Sequence, residues 1–232
     1  MQSKKKYERY WQEKRESINP SGSREPYELL ETVGSLLKHS SGNLLDVGSG
    51  NGDVIMISQE RYKSVYGCDI SENACKIARK RGLSVLCADF NNGFLPYKDN
   101  SIKHITCIEV IEHIFDPQKL LEELFRLLKR GGRLILTTSN FRYFRHIEKL
   151  AFKGSFPHTT KDTFVWGGGH LHYFTSKDLK ILLKNTNFKE IRFHINYKQF
   201  ERSYKRRWLY KITGPKVFAE WFCSGLIVEA YK

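Results

Sequence analysis

Nowhere in these 232 residues does an apolar run approach the ~20 residues a bilayer-spanning helix needs, so no such span is expected. The basic N-terminus, MQSKKKYERYWQEK, has no apolar stretch behind it. A signal peptide is therefore not expected, and the expected compartment is the cytosol. Cysteine is sparse: five residues, an odd number, with no C-x-x-C pair. Neither a zinc site nor a disulfide framework is expected, and reduced buried thiols suit the apolar runs around Cys68, Cys87 and Cys107. With 17 Gly and 6 Pro the chain is neither collagen-like nor linker-dominated. No G-K-[ST] follows any glycine loop, which excludes a P-loop.

Acidic residues are scarce only in one part of the chain. Residues 41–140 hold 13 basic and 12 acidic side chains, whereas residues 141–232 hold 18 and 7, together with 20 of the 31 aromatics. Such a half attracts anionic partners, or simply keeps a surface solvated.

Hydropathy patterning predicts a helix from Tyr27 to His39, strands at Asn43–Val47, Ser64–Cys68, Ser84–Ala88, Ile102–Ile108 and Arg133–Thr138, and a helix starting at Val54–Glu60. Ser71 is a natural N-cap for a helix to about Arg81. Asp116–Pro117 opens a helix to Lys129 that Gly131–Gly132 ends. Beyond residue 140, Thr175 or Ser176 caps a helix to about Asn185, and Lys189–Tyr197 and Gly225–Tyr231 alternate like strands. Short apolar strands alternating with helices predict an α/β fold, its parallel sheet covered on both faces. The aromatic stretch 141–169 is expected to cover a ligand site, with Phe164 and Trp166 beside a Gly167–Gly169 hinge, although plain packing suits those rings equally well.

The glycine loop Asp46-Val47-Gly48-Ser49-Gly50-Asn51-Gly52-Asp53 sits between a strand and a helix, where open α/β sheets bind ligands. A dinucleotide loop requires a third glycine where Asp53 stands, and carboxylates at Asp46 and Asp53 repel a pyrophosphate. A cationic or uncharged ligand fits better. Asp69, about 20 residues on, stands where an acid takes ribose hydroxyls. Asp89 ends the third strand, followed by Phe90, an aromatic able to stack on a base. Each acid alone could be a solvent-facing strand end; three in register with a glycine loop argue for a site.

These pieces carry a family resemblance. LLDVGSGNGD, VYGCDIS, CADFNNGFLPYKDNSIKHITCIEVIEHIFDP and LKRGGRLILTTSN, in this order over about a hundred residues, resemble a class I S-adenosylmethionine-dependent methyltransferase, close to the ubiquinone-type O-methyltransferases and general small-molecule methyltransferases. The resemblance implies a Rossmann-like, seven-stranded, mostly parallel sheet with a reversed last hairpin, and S-adenosylmethionine as cofactor, leaving S-adenosylhomocysteine. It implies one domain over 1–232: a helical lid region at 1–40, a cofactor-binding half at 41–140, and an acceptor-side half at 141–232 with an insertion at 141–174. It implies that Gly48 and Gly50 line the methionine part and that Asp69 holds the ribose, with Asp46 and Ile70 also in the cofactor site. Asp89 and Phe90 then border the adenine, the backbone at Cys107–Ile108 meets the amino group, and Arg24 meets the carboxylate.

On the acceptor side, Glu109, Glu112 and His113 share one face if the segment is helical. Either His113 is a general base or orienter whose tautomer Glu112 sets, or the three hold Mg²⁺ or Mn²⁺ with His170 or His172, or the two acids only cap and pair within the helix. The expectation adopted is His113 as the catalytic residue and no metal. The expected reaction is methyl transfer to oxygen, or to nitrogen, of a small-molecule or lipid-like acceptor, and the basic second half suits an anionic one or one presented near a charged surface. The stretch 197–216 suits contact with an anionic membrane. The alternatives are an RNA methyltransferase, using the basic aromatic half, and a non-catalytic binding protein.

Overall fold

The computed structural model describes residues 2–16, 25–37, 41–92, 94–157, 169–196 and 204–232. Arg24, Phe164, Trp166, Gly167 and Gly168 lie outside them. Two helices, α1 (Gln2–Glu16) and α2 (Glu25–Leu37), precede the sheet. There follow β1 (Asn43–Val47), α3 (Asp53–Ser58), β2 (Ser64–Asp69), α4 (Glu72–Lys80), β3 (Val85–Cys87), β4 (Ile102–Ile108), α5 (Pro117–Leu127) and β5 (Leu128–Ser139). The last part contains α6 (Phe144–Lys153), α7 (Ser176–Asn185), β6 (Lys189–His194), α8 (Tyr204–Phe222) and β7 (Gly225–Tyr231).

The seven strands form one sheet in the order β3-β2-β1-β4-β5-β7-β6. The first five pair in parallel, whereas β7 lies antiparallel between β5 and β6. The reversed hairpin is therefore present. Alternation along β1 explains the double cover. Leu45 and Val47 point into the main core with Leu120, Leu124 and Leu179, while Leu44 points into a second core with Val33, Leu37 and Val54. Burying a Leu or Val in this way stabilises the fold by about 1.5–3 kcal/mol each.

The caps stand where the residue types place them. Ser71 accepts from the Ala74 amide, Asp116 from the Lys119 amide ahead of Pro117, and Thr175 forms a capping box with Asp178. Helix α5 ends at Leu127 rather than Lys129 because Leu128 already pairs with Ile102 of β4. The insertion after β5 has a closed stem: Asn140 bridges to Phe174, and the Phe141 amide donates to the Phe174 carbonyl. All five cysteines are free thiols, and no described helix is long and apolar enough to cross a membrane.

Candidate functional site

The site lies at the carboxyl ends of β1, β2 and β4. Beyond β1 the chain turns through Gly48 and Gly50, both at positive φ (76° and 53°). The space is as restrictive as the torsion. A Cβ on Gly48 would stand 2.2 Å from Val110 Cγ2, and one on Gly50 would stand 2.6 Å from Trp11 Cζ2. The Gly48 and Ser49 amides donate to the Cys68 carbonyl at 2.8 and 3.0 Å, tying the loop to β2.

Asp69 organises the loop from β2. Its Oδ2 accepts from the Gly50 amide and its Oδ1 from the Ser71 amide, both at 2.8 Å. Burial raises its carboxyl, and the Ser71 and Gly50 amides oppose that rise. Asp46 is buried beneath the loop and accepts from Thr106 Oγ1 at 2.7 Å. Lost hydration pushes it up to about 7 despite the Thr106 hydroxyl, with Asp69 and Asp53 adding repulsion. Asp53 is paired at 2.9 Å with Arg81, so the acidity that disfavours a phosphate rests on Asp46 and Asp69.

Other candidate residues are placed differently. Asp89 Oδ1 accepts from the Asn91 amide at 3.0 Å and from Asn91 Nδ2 at 3.1 Å, making a turn. The Phe90 ring is buried in the main core. Ile70 is buried beside the same turn, and Ile108 packs half-buried against the second core. Helix α1, expected only as part of a lid, supplies three contacts at the cleft. Glu8 accepts from the Glu72 amide at 2.7 Å, and from the Asn73 amide and Ser71 Oγ at 3.1 Å each, capping α4. Trp11 lies against Gly50, and the Tyr7 ring stands edge-on to His113 at 5.8 Å. A carboxylate two residues before the aromatic pair Tyr10–Trp11 was too weak a signal to assign these roles from sequence.

The chain beyond β4 does not continue as one helix. Glu109 takes a left-handed φ of 53°, and only Ile111–His113 forms a single 3₁₀ turn. The predicted shared helical face is therefore absent, yet the side chains still converge. Glu109 Oε1 accepts from Thr137 Oγ1 at 2.8 Å, and buried Glu112 accepts on Oε2 from Thr138 Oγ1 at 2.9 Å. Burial raises the Glu112 carboxyl, with repulsion from Glu109 adding to it. The Glu112 carbonyl in turn accepts from the Leu171 and His172 amides at 2.8 and 3.1 Å, drawing the end of the insertion onto the site. His113 Nδ1 donates to the Gly169 carbonyl at 3.1 Å, leaving Nε2 with the lone pair. The His113 and His170 rings meet at 4.6 Å, while His172 donates through Nε2 to the Phe115 carbonyl.

Glu112, His113 and His170 bring ligating atoms within 4.8 Å of one another. Glu112 Oε1 is buried with no donor group bonded to it, and its neighbour is the Glu109 carboxyl, with which it can share a proton. One carboxylate and two imidazoles fit a small divalent cation. The set selects His170, not His172, and does not require Glu109.

Residues 45–136 match a family model described as a methyltransferase domain. The chain is 29% identical over 161 residues to an uncharacterized protein of Methanocaldococcus jannaschii, covering 69% of this chain and 71% of that one. It is 28% identical over 134 residues to a ubiquinone biosynthesis O-methyltransferase of Idiomarina loihiensis, covering 53% and 55% respectively. The chain thus spans about half the length of that curated enzyme. In fold it resembles a SAM-dependent methyltransferase from Archaeoglobus fulgidus, with a TM-score of 0.64, 16% identity, and coverage of 91% of this chain and 95% of that one. The motif order, the matching methyltransferase domain over residues 45–136 and the sheet with its reversed hairpin make this chain similar to the class I S-adenosylmethionine-dependent methyltransferases, whose fold it shares.

Proposed function

We propose that this chain transfers the methyl group of S-adenosylmethionine to an oxygen of a small-molecule or lipid-like acceptor. The observation that carries the reading is His113: it follows β4, whose neighbour β1 leads into the glycine loop, its tautomer fixed by Gly169, with buried Glu112 next to it in the chain. The likeness to a ubiquinone biosynthesis O-methyltransferase supports oxygen over nitrogen.

The donor half follows from charge and backbone. Gly48 and Gly50 let main chain approach the methionine part closely, and Ile70 and Asp89 flank the nucleoside. Asp69 has both oxygens engaged by amides but keeps lone pairs for ribose hydroxyls. Asp46 beneath the loop, pushed up to about 7, favours a sulfonium cation over a phosphate in its ionised form. The backbone at Ile108 offers acceptors to the donor's ammonium group.

Displacement at a sulfonium methyl needs chiefly alignment, so the protein's further task is the acceptor proton. His113 Nε2 takes or holds that proton. A second reading rests on the same cluster: Glu112, His113 and His170 would hold a divalent cation, with His113 Nε2 then a ligand and not the base. A divalent cation there would lower the pKa of an acceptor hydroxyl.

The test is transfer of labelled methyl to phenolic acceptors with and without a lipid tail, with amines in parallel. An O-methyl product is expected. His113→Ala should slow turnover by about a hundredfold or more while leaving donor affinity unchanged. Methylation of the amines alone would overturn the oxygen assignment, and loss of donor binding in His113→Ala would make His113 a folding residue.

A further inference from the structure

Two helices on the acceptor side expose apolar side chains that a water-facing surface does not need. No residue of α6 is buried; Ile147, Leu150 and Phe152 face solvent, Phe152 at 85%. In α8, Tyr204, Trp208 and Ile212 recur every four residues and so form one stripe, exposed by 58–76%. The helix breaks at Gly214 (φ 75°, ψ 166°), so this stripe belongs to its first half, whose Leu209 and Tyr210 turn towards the body of the fold. Phe218 is buried with Ile195 and Cys223, and Leu209, Tyr210 and Phe222 pack against them. A helix apolar on two sides, one of them bare, calls for a second apolar neighbour.

The helices belong to one face. The Phe144 and Phe222 rings meet at 5.4 Å, and Arg142 bonds Glu220 at 2.7 Å while lying over Trp221. Together α6 and α8 contain eight Lys and Arg against two Glu. Lys205, Arg207 and Lys211 are exposed and flank the Trp208 stripe. From this face a series of rings leads inwards: Phe141 to Tyr173 at 5.1 Å, Tyr173 to His170 at 6.0 Å, and His170 to His113 at 4.6 Å.

We infer that the α6–α8 face is a docking surface for an anionic lipid membrane. Its aliphatic members, Ile147, Leu150, Ile212 and Val217, have no π-face for stacking bases but gain from burial at the acyl boundary. Its cations suit acidic headgroups. Docking in this orientation presents the ring-lined route towards His113 to the bilayer. The inference is separable from methyl transfer, because the face would dock whether or not the cleft is active.

The experiment is co-sedimentation of the full chain with phosphatidylcholine vesicles, with and without phosphatidylglycerol. A filter-binding arm uses single-stranded RNA. Wild type should pellet with the phosphatidylglycerol vesicles only, and less so as salt rises. Trp208→Ser/Ile212→Ser and, separately, Lys205→Glu/Lys211→Glu should each lower partitioning at least about tenfold. Both variants should keep the melting temperature and S-adenosylmethionine affinity of wild type. The inference is overturned if wild type ignores the anionic vesicles, if both variants pellet like wild type, or if these substitutions abolish RNA binding while vesicle binding stays unchanged.

Discussion

The burial of Asp46 and of Glu112 creates a measurable liability. Asp46, pushed up to about 7, is protonated in the folded chain at pH values where the unfolded chain has already ionised it. The folded state binds the extra proton between about pH 4 and 7, so Asp46 makes stability fall as pH rises through that window. A cationic donor reverses the preference, because it binds the ionised form better. Donor affinity should therefore increase as pH rises through about 7, and Asp46→Asn should flatten that slope, as calorimetry across the range would show. A wild-type slope unchanged in Asp46→Asn would separate Asp46 from the donor.

Glu112 makes the second case. Its carboxyl is raised by burial and by Glu109, so ionising it above the ordinary carboxylate range destabilises the fold. Glu112→Gln keeps the shape, removes the charge, and should raise stability in metal-free buffer near pH 8 by about 1–3 kcal/mol. Added Mg²⁺ or Mn²⁺ should raise the melting temperature of wild type and leave Glu112→Gln unmoved. Equal response of both proteins would remove the cation from the account.

At the scale of elements, α1 carries the clearest consequence. Glu8 caps α4 beside Asp69 while Trp11 lies on Gly50, so the helix closes one side of the donor cleft. Glu8→Ala should weaken the cap by about 0.5–2 kcal/mol and speed donor dissociation, readable by stopped-flow. An unchanged dissociation rate would show that α1 does not gate the cleft. This helix was not placed by sequence reading because its stabilising contacts are tertiary: a polar segment shows no apolar stripe, and Glu8 meets Glu72 and Asn73 some 64 positions away. Helices α6 and α8 escaped for the opposite reason, since their apolar residues face outwards or on two sides. By contrast β1, β4 and β7 end where their alternation ends, and the Ser71, Asp116 and Thr175 caps are local chemistry written in adjacent residues. The acceptor-side cluster was legible by residue type but not by geometry. Glu109 adopts a left-handed torsion that the chain beyond it imposes, and that no spacing rule anticipates.

For the whole molecule, the distribution of charge matches the division of labour. The half that builds the cleft is nearly neutral, with its acids at strand ends, while the half beyond residue 140 concentrates cations and aromatics on its outer helices. The central claim is that buried Asp46 and amide-bound Asp69 select a cationic nucleoside over a phosphorylated one. Isothermal titration of the full chain with S-adenosylmethionine and, separately, with NAD tests it most directly. The account predicts saturable binding of S-adenosylmethionine, weakened by at least ~1.5 kcal/mol in Asp69→Ala, and no binding of NAD. Binding of NAD with S-adenosylmethionine excluded would contradict it.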